Sequence, residues 1–386
     1  MDFMVPNPMP YPDYVFTEQP TPAQLRQRAV EAMRDFLSIQ WCTQKKIVHG
    51  KTGPVGGKVF IYDPYTVFAG LPYTNGDKGL FQFLEYYDHE TGKLKFNGTG
   101  QEFNKLLGGT CAAGVMWGWS TVCHTLTGRF VNFYMVPKHG CYPVGDYKFD
   151  WSINSFLDYS TKQIIEDNGA DCILDAYSKM QPADAVASSV KDHTMMAIEM
   201  PHVEYTPEGK IDPENSYIII QDQCGGTGAG FHVKRDADNL IHYSGRTGFK
   251  FTFRMLLDQY YLPVTTAEFM GTEPYERAKV WFDGETPEDM DQLKKGFICS
   301  NYPMAVLKVI LTDEWGIETL IDRHLFVKGE VESGLARKFP MKSMSDTIPA
   351  AVYVAMEYRE NYTLRVEATA TNGEKLVAAS FPVRKG

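Results

Sequence analysis

The sequence predicts an α+β protein: a mixed region of helices and strands to about residue 263, then a β-sandwich to residue 386. Three observations lead there. Two apolar-striped segments in the first third of the chain have helical character. Short β-type runs bounded by turn residues follow between residues 185 and 221. Beyond Pro263 the apolar pattern settles to a period of two, with hairpin chemistry near the end.

The first 20 residues hold five prolines and read as an extended arm. Thr21 then offers an N-cap and Pro22 a first helical position. Leu25, Ala29, Met33, Phe36, Leu37 and Trp41 recur at three- and four-residue steps, so a helix with one buried stripe is expected. Residues 47–79, rich in Gly, Pro and Tyr, read as loops with short strands. A helical turn is expected over 102–108. A second helix is expected from Thr110 or Cys111 to about Leu126. Its small residues, Ala112, Ala113, Gly114 and Gly118, alternate with Val115, Met116, Trp117 and Trp119. Such a helix is apolar on most sides, belongs in the interior and lets its neighbours approach closely.

Further helix is expected within 153–178. Ala185–Ser188, Thr194–Met200 and Tyr217–Gln221 read as strands, the last two as an antiparallel pair with a turn at Pro207-Glu208-Gly209-Lys210. Phe253–Tyr261 reads as helix. Past Pro263, the segments 278–282, 304–312, 350–358, 362–370 and 375–381 read as strands. Tyr362, Leu364, Val366 and Ala368 alternate with polar neighbours, and Asn372-Gly373 supplies a hairpin turn.

Composition narrows the function. Hydrophobic residues make up 44% and charged residues 22%, an ordinary globular balance. The length suits two domains, placed at 1–263 and 264–386. A net charge of −10 with scattered basic residues argues against a nucleic-acid partner. No stretch approaches the roughly 20 apolar residues of a membrane span. Met1–Tyr14 lacks the basic start and apolar run of a secretory leader, so a cytoplasmic address is expected, or a secreted one if a leader has been removed. Seven cysteines at irregular spacing do not make a disulfide framework and favour a reduced compartment. No zinc-knuckle spacing occurs, and no metal or cofactor is implied.

One cysteine stands in a special place. Gly108-Gly109-Thr110-Cys111 leads into the expected second helix and puts a thiol in its first turn. Unsatisfied backbone N–H groups and the positive helix end both favour a thiolate there. Cysteines in such settings reach pKa values of roughly 3.5–7.5, and the thiolate is the nucleophile. The competing reading is a buried small hydrophobe. A thiolate nucleophile needs a base, and His193 opens the strand that follows Asp192. His124 is the rival, but thirteen residues of helix between it and Cys111 would span about 20 Å. If Thr194–Met200 and Tyr217–Gln221 pair antiparallel, the start of one faces the end of the other. Gln221, Asp222 or Gln223 would then orient the imidazole. Asp222 is preferred because it also stabilises imidazolium.

Gly70-Leu71-Pro72-Tyr73, Gly109-Thr110-Cys111-Ala112-Ala113, Gln181-Pro182-Ala183-Asp184-Ala185-Val186 and His193-Thr194-Met195-Met196 follow one another in an order that resembles the NlpC-type papain-like peptidases. The likeness covers roughly residues 60–225. It departs from the family at Thr110 for Asp, Ala112 for Ser and Ala183 for Gly, and in a long insert after the helix. The resemblance implies a papain-like catalytic domain acting on a peptide or cell-wall-type peptide, or a same-fold acyltransferase or amidase. It also implies that Tyr73 lines the cleft and helps polarise the scissile carbonyl. An inactive peptide- or glycan-binding module is the alternative outside catalysis. Gly226-Thr227-Gly228-Ala229-Gly230 looks like a dinucleotide loop, but no helical stripe follows it to aim N–H groups at a phosphate.

Overall fold

The computed structural model describes residues 4–51, 58–76, 78–126, 132–150, 152–224, 234–235, 241–242, 245–326, 337–344, 346–356 and 361–384. The Gly-rich segment 226–230 lies outside them. The chain is mixed α/β with several small sheets.

The first helix spans Pro22–Ser38 and is closed by a capping box. The Thr21 hydroxyl accepts from the Gln24 amide at 3.3 Å, and the Gln24 side chain accepts from the Thr21 amide at 2.8 Å. Leu25, Ala29, Met33, Phe36 and Leu37 are buried along its inner face. Full burial of each large member is worth about 1.5–3 kcal/mol. Trp41 leaves the stripe for the strand Gln40–Thr43, where its ring packs on Tyr62 and Phe68.

The second helix, Cys111–Ser120, is shorter than expected and buried at every residue. It lies between the first helix and a six-stranded sheet. That sheet runs in the order Gly245–Thr252, Tyr217–Gln223, His193–Ala197, Ala185–Ser188, Leu262–Thr266, Cys141–Pro143, and every neighbouring pair is antiparallel. The boundary expected at 263 falls inside Leu262–Thr266, a strand hydrogen-bonded to two others of this sheet. The sheet's own pairing therefore carries the first unit past residue 263, and the helix Ala267–Met270 then packs on the first helix.

Beyond it, a four-stranded antiparallel sheet joins Glu318–Leu325, Met304–Asp313, Asn361–Ala370 and Lys375–Arg384. A three-stranded sheet joins Val280–Asp283, Phe297–Ser300 and Arg337–Pro340. Ile298 and Phe339 share one apolar cluster with Leu307, Val309, Leu364 and Val366. The alternation over 362–368 holds, with Tyr362, Leu364, Val366 and Ala368 all buried. Residues 350–355 do not form the expected strand. Ile348–Ala355 is a helix with Pro349 in its first turn, and residues 357–358 lie outside the described residues. Ile348, Val352 and Met356 are buried at four-residue spacing, a helical stripe hidden among β-branched residues. Asn372 and Gly373 lie in the turn that joins the antiparallel strands Asn361–Ala370 and Lys375–Arg384, with Gly373 at φ +91°.

The two parts meet through buried polar contacts. Lys78, 1% exposed, donates from Nζ to the carbonyls of Leu325 and Phe326 at 2.7 and 3.1 Å. The Thr371 hydroxyl donates to the Ser120 carbonyl at 2.7 Å. That carbonyl ends the Cys111 helix and has no intrahelical partner of its own.

Gly118 shows how closely the Cys111 helix packs. A Cβ there would sit 2.8 Å from the Ala29 carbonyl oxygen and 3.1 Å from the Met33 Cβ. Gly118→Ala gains about 1 kcal/mol of helix propensity. The collision is with backbone, so overpacking of about 1–3 kcal/mol wins. Denaturant titration is expected to show net destabilisation; a variant as stable as the parent would mean that the helices separate freely.

Candidate active site

The loop before the Cys111 helix is held by backbone bonds. The Gly109 amide donates to Pro72 O at 3.1 Å, Thr74 N donates to Gly109 O at 3.1 Å, and Lys78 N donates to Gly108 O at 2.8 Å. Gly108 has φ +76°, and a Cβ there would fall 2.0 Å from the Pro72 carbonyl oxygen, so only glycine fits. Thr110 is the N-cap and makes no side-chain cap bond. Cys111 follows at the first helical position, 5% exposed. Its backbone N–H belongs to the group that a helix leaves without intrahelical partners.

His193 opens its strand opposite Ser188, at the end of a tight turn over 189–192. Asp192 has φ +49°, a left-handed conformation that Asp tolerates better than most residues. This turn aims the Asp192 carbonyl at the thiol, with Cys111 Sγ to Asp192 O at 3.8 Å. His193 Nε2 lies 2.7 Å from Asp222 Oδ2. Nδ1 is the ring nitrogen that Asp222 does not take, and Cys111 lies close enough for its charge to act on the ring. The edge of Tyr261 closes one side, its ring centroid 6.5 Å from that of His193.

Strand alternation separates the three candidates for orienting the ring. Gln221 Nε2 donates to Val30 O at 3.0 Å, and Gln223 Nε2 to Leu71 O at 3.0 Å. Both side chains point away from the imidazole, while Asp222 between them points toward it. Asp222 is 0% exposed. It also accepts from Arg246 Nε at 2.8 Å and from a second Arg246 nitrogen. The sequence does not single out Arg246, a lone arginine on the strand Gly245–Thr252. Tyr73 is half-buried; its backbone bridges to Gly109 and its ring stacks near Phe60 at 6.5 Å. The rival His124 lies beyond the helix end and pairs with Glu268 at 3.2 Å. None of the seven cysteines is joined in a disulfide.

Ala183 has φ +71°, a left-handed conformation in a residue other than glycine. Trp119 Nε1 donates to the Ala183 carbonyl at 2.6 Å. Beside it the buried Asp184 pairs with Arg26 at 2.6 Å, tying the turn to the first helix.

Electrostatics favour a charged ring. Burial opposes the His193 cation, but the Cys111 charge, the hydrogen bond to Asp222 and the Asp222 charge together raise its pKa from 6.5 to about 10. Burial likewise works against the Asp222 carboxylate, and the bonds from Arg246 and His193 outweigh it and hold its pKa below 3.8.

Because the His193 pKa is raised on folding, its stabilisation is complete below 6.5 and is lost as pH climbs toward about 10. NMR titration of the imidazole is expected to give a midpoint well above 6.5, which falls in Asp222→Asn. The stability advantage of the parent over that variant should shrink across the same window. A midpoint near 6.5 in both proteins would contradict the arrangement.

Among the described residues, no helix is long and apolar enough to cross a membrane. Comparison of the chain with family models, with curated proteins and with solved structures finds no match. The functional reading rests on the geometry of this site.

Proposed function

We propose that the protein is a papain-like cysteine hydrolase that cleaves an amide bond in a peptide, with Cys111 as nucleophile, His193 as acid and base, and Asp222 as the group that orients the imidazole. The observation that carries this reading is one chain of contacts. A thiol at a buried helix start, 3.8 Å from the Asp192 carbonyl, lies beside a histidine whose Nε2 is 2.7 Å from a buried carboxylate. In this reading the six-stranded sheet and the Cys111 helix form a papain-like core, and the two C-terminal sheets form a sandwich. The NlpC-like order of segments supports a cell-wall-type peptide as substrate, with Tyr73 beside the cleft.

The chemistry follows from the side chains. His193 takes the thiol proton, and the Cys111 sulfur attacks the carbonyl carbon. The backbone N–H of Cys111 is placed to donate to the developing oxyanion. The C–N bond breaks as His193 returns the proton to the leaving amine, and a thioester remains. Water then gives a proton to His193, its oxygen adds to the thioester carbon, and the C–S bond breaks. The carboxylic acid departs and the thiol is restored.

Peptidoglycan fragments and a peptide library, followed by mass spectrometry, test the proposal. Cleavage by the parent is expected, with Cys111→Ala losing on the order of 10⁶-fold in turnover while circular dichroism stays unchanged. Turnover retained in Cys111→Ala would mean another nucleophile. A product carrying a new amide to an added amine would replace hydrolysis with acyl transfer.

A further inference from the structure

The strands Gly245–Thr252 and Tyr217–Gln223 pair antiparallel, and their register puts Arg246 directly opposite Asp222. Side chains directly opposite one another stand on the same face. The guanidinium therefore meets the carboxylate as a fork: Nε lies 2.8 Å from Oδ1, and a second nitrogen donates to Oδ2. Its outer side stacks over the Phe249 ring at 5.0 Å, and the side chain is 28% exposed.

A carboxylate held by one partner turns easily, because the last torsion of Asp is broad. A two-point guanidinium bond fixes its plane. With that plane fixed, Oδ2 is held toward His193 Nε2, which sets the orientation of the ring beside Cys111. Charge acts in the same direction. In the ionised pair, thiolate, imidazolium, carboxylate and guanidinium alternate in sign. Remove the guanidinium, and two anions share one cation.

Resting on the hydrolase reading above, we propose that Arg246 is a positioning residue for the Cys111–His193 pair, acting through Asp222. Its fork sets the plane of the carboxylate, and its charge favours the ionised thiol. No substrate contact is needed for this role.

The test needs no substrate either. Cys111 is alkylated with iodoacetamide over a range of pH in the parent, Arg246→Gln and Arg246→Lys, and the modified peptide is identified by mass. The exchange rate of the His193 Nε2 proton is read by NMR in the same proteins. Arg246→Gln is expected to move the alkylation midpoint up by about one pH unit, a tenfold fall in thiolate below it. Arg246→Lys keeps the charge and should restore most of that midpoint. It lacks the fork, so the Nε2 proton should exchange faster than in the parent. Superimposable profiles for the parent and Arg246→Gln would overturn the proposal, as would a lysine variant shifted as far as the glutamine one. Should Arg246→Gln fail to fold, unchanged Nε2 exchange in Arg246→Lys would overturn it. The hydrolase reading fails separately: a parent Cys111 that reacts near pH 6 no faster than an ordinary thiol removes it before any arginine variant is compared.

Discussion

A carboxylate cannot be buried alone. Asp222 has no exposed surface, and its charge survives there because two cationic groups meet it, His193 on one side and Arg246 on the other. Removing either partner would leave a buried charge undercompensated, a loss that runs to several kcal/mol for interior pairs. The site is organised around this constraint. Three neighbouring antiparallel strands must keep their register, because a slip of one residue would turn Asp222 to the far face and bring Gln221 or Gln223 in its place.

The sulfur reaches that assembly by a different route. Its helix is buried on all sides and wedged between the first helix and the sheet, with Gly118 where backbones come closest. Packing of this kind leaves little freedom to slide. The start of the helix is fixed by the Gly108-Gly109 loop, whose backbone bonds run to Pro72, Thr74 and Lys78. Its far end is met by Thr371 from the C-terminal part, and Lys78, which holds the loop by its amide, reaches carbonyls of that same part with its side chain. The C-terminal sheets thus support the element that carries the proposed nucleophile, in addition to any contact they make with a substrate.

Local signals carried much of the fold. The Thr21-Pro22 start, the buried helix beginning at Cys111 and the alternation over 362–368 each depend on neighbours within a turn or two, so they could be read from the chain. The helix Ile348–Ala355 could not, because its β-branched residues satisfy a strand pattern locally and only the cluster they pack against selects the four-residue spacing. Likewise, nothing near residue 263 announces that the strand there belongs to the first sheet. Its partners, Ala185–Val186–Ala187 and Cys141–Pro143, lie far away in sequence.

The candidate thiol and the candidate imidazole are legible in the chain, since a cysteine after paired glycines and a histidine at a strand start are local facts. The sequence also narrowed the orienting group to three adjacent residues. Tertiary structure alone decided among them, because strand alternation sends Asp222 to one face and its two glutamine neighbours to the other. Tertiary structure alone revealed Arg246, which is distant in the chain and becomes the partner of Asp222 only through cross-strand register. Backbone pairing, a long-range property, is what turns scattered polar residues into one electrostatic unit.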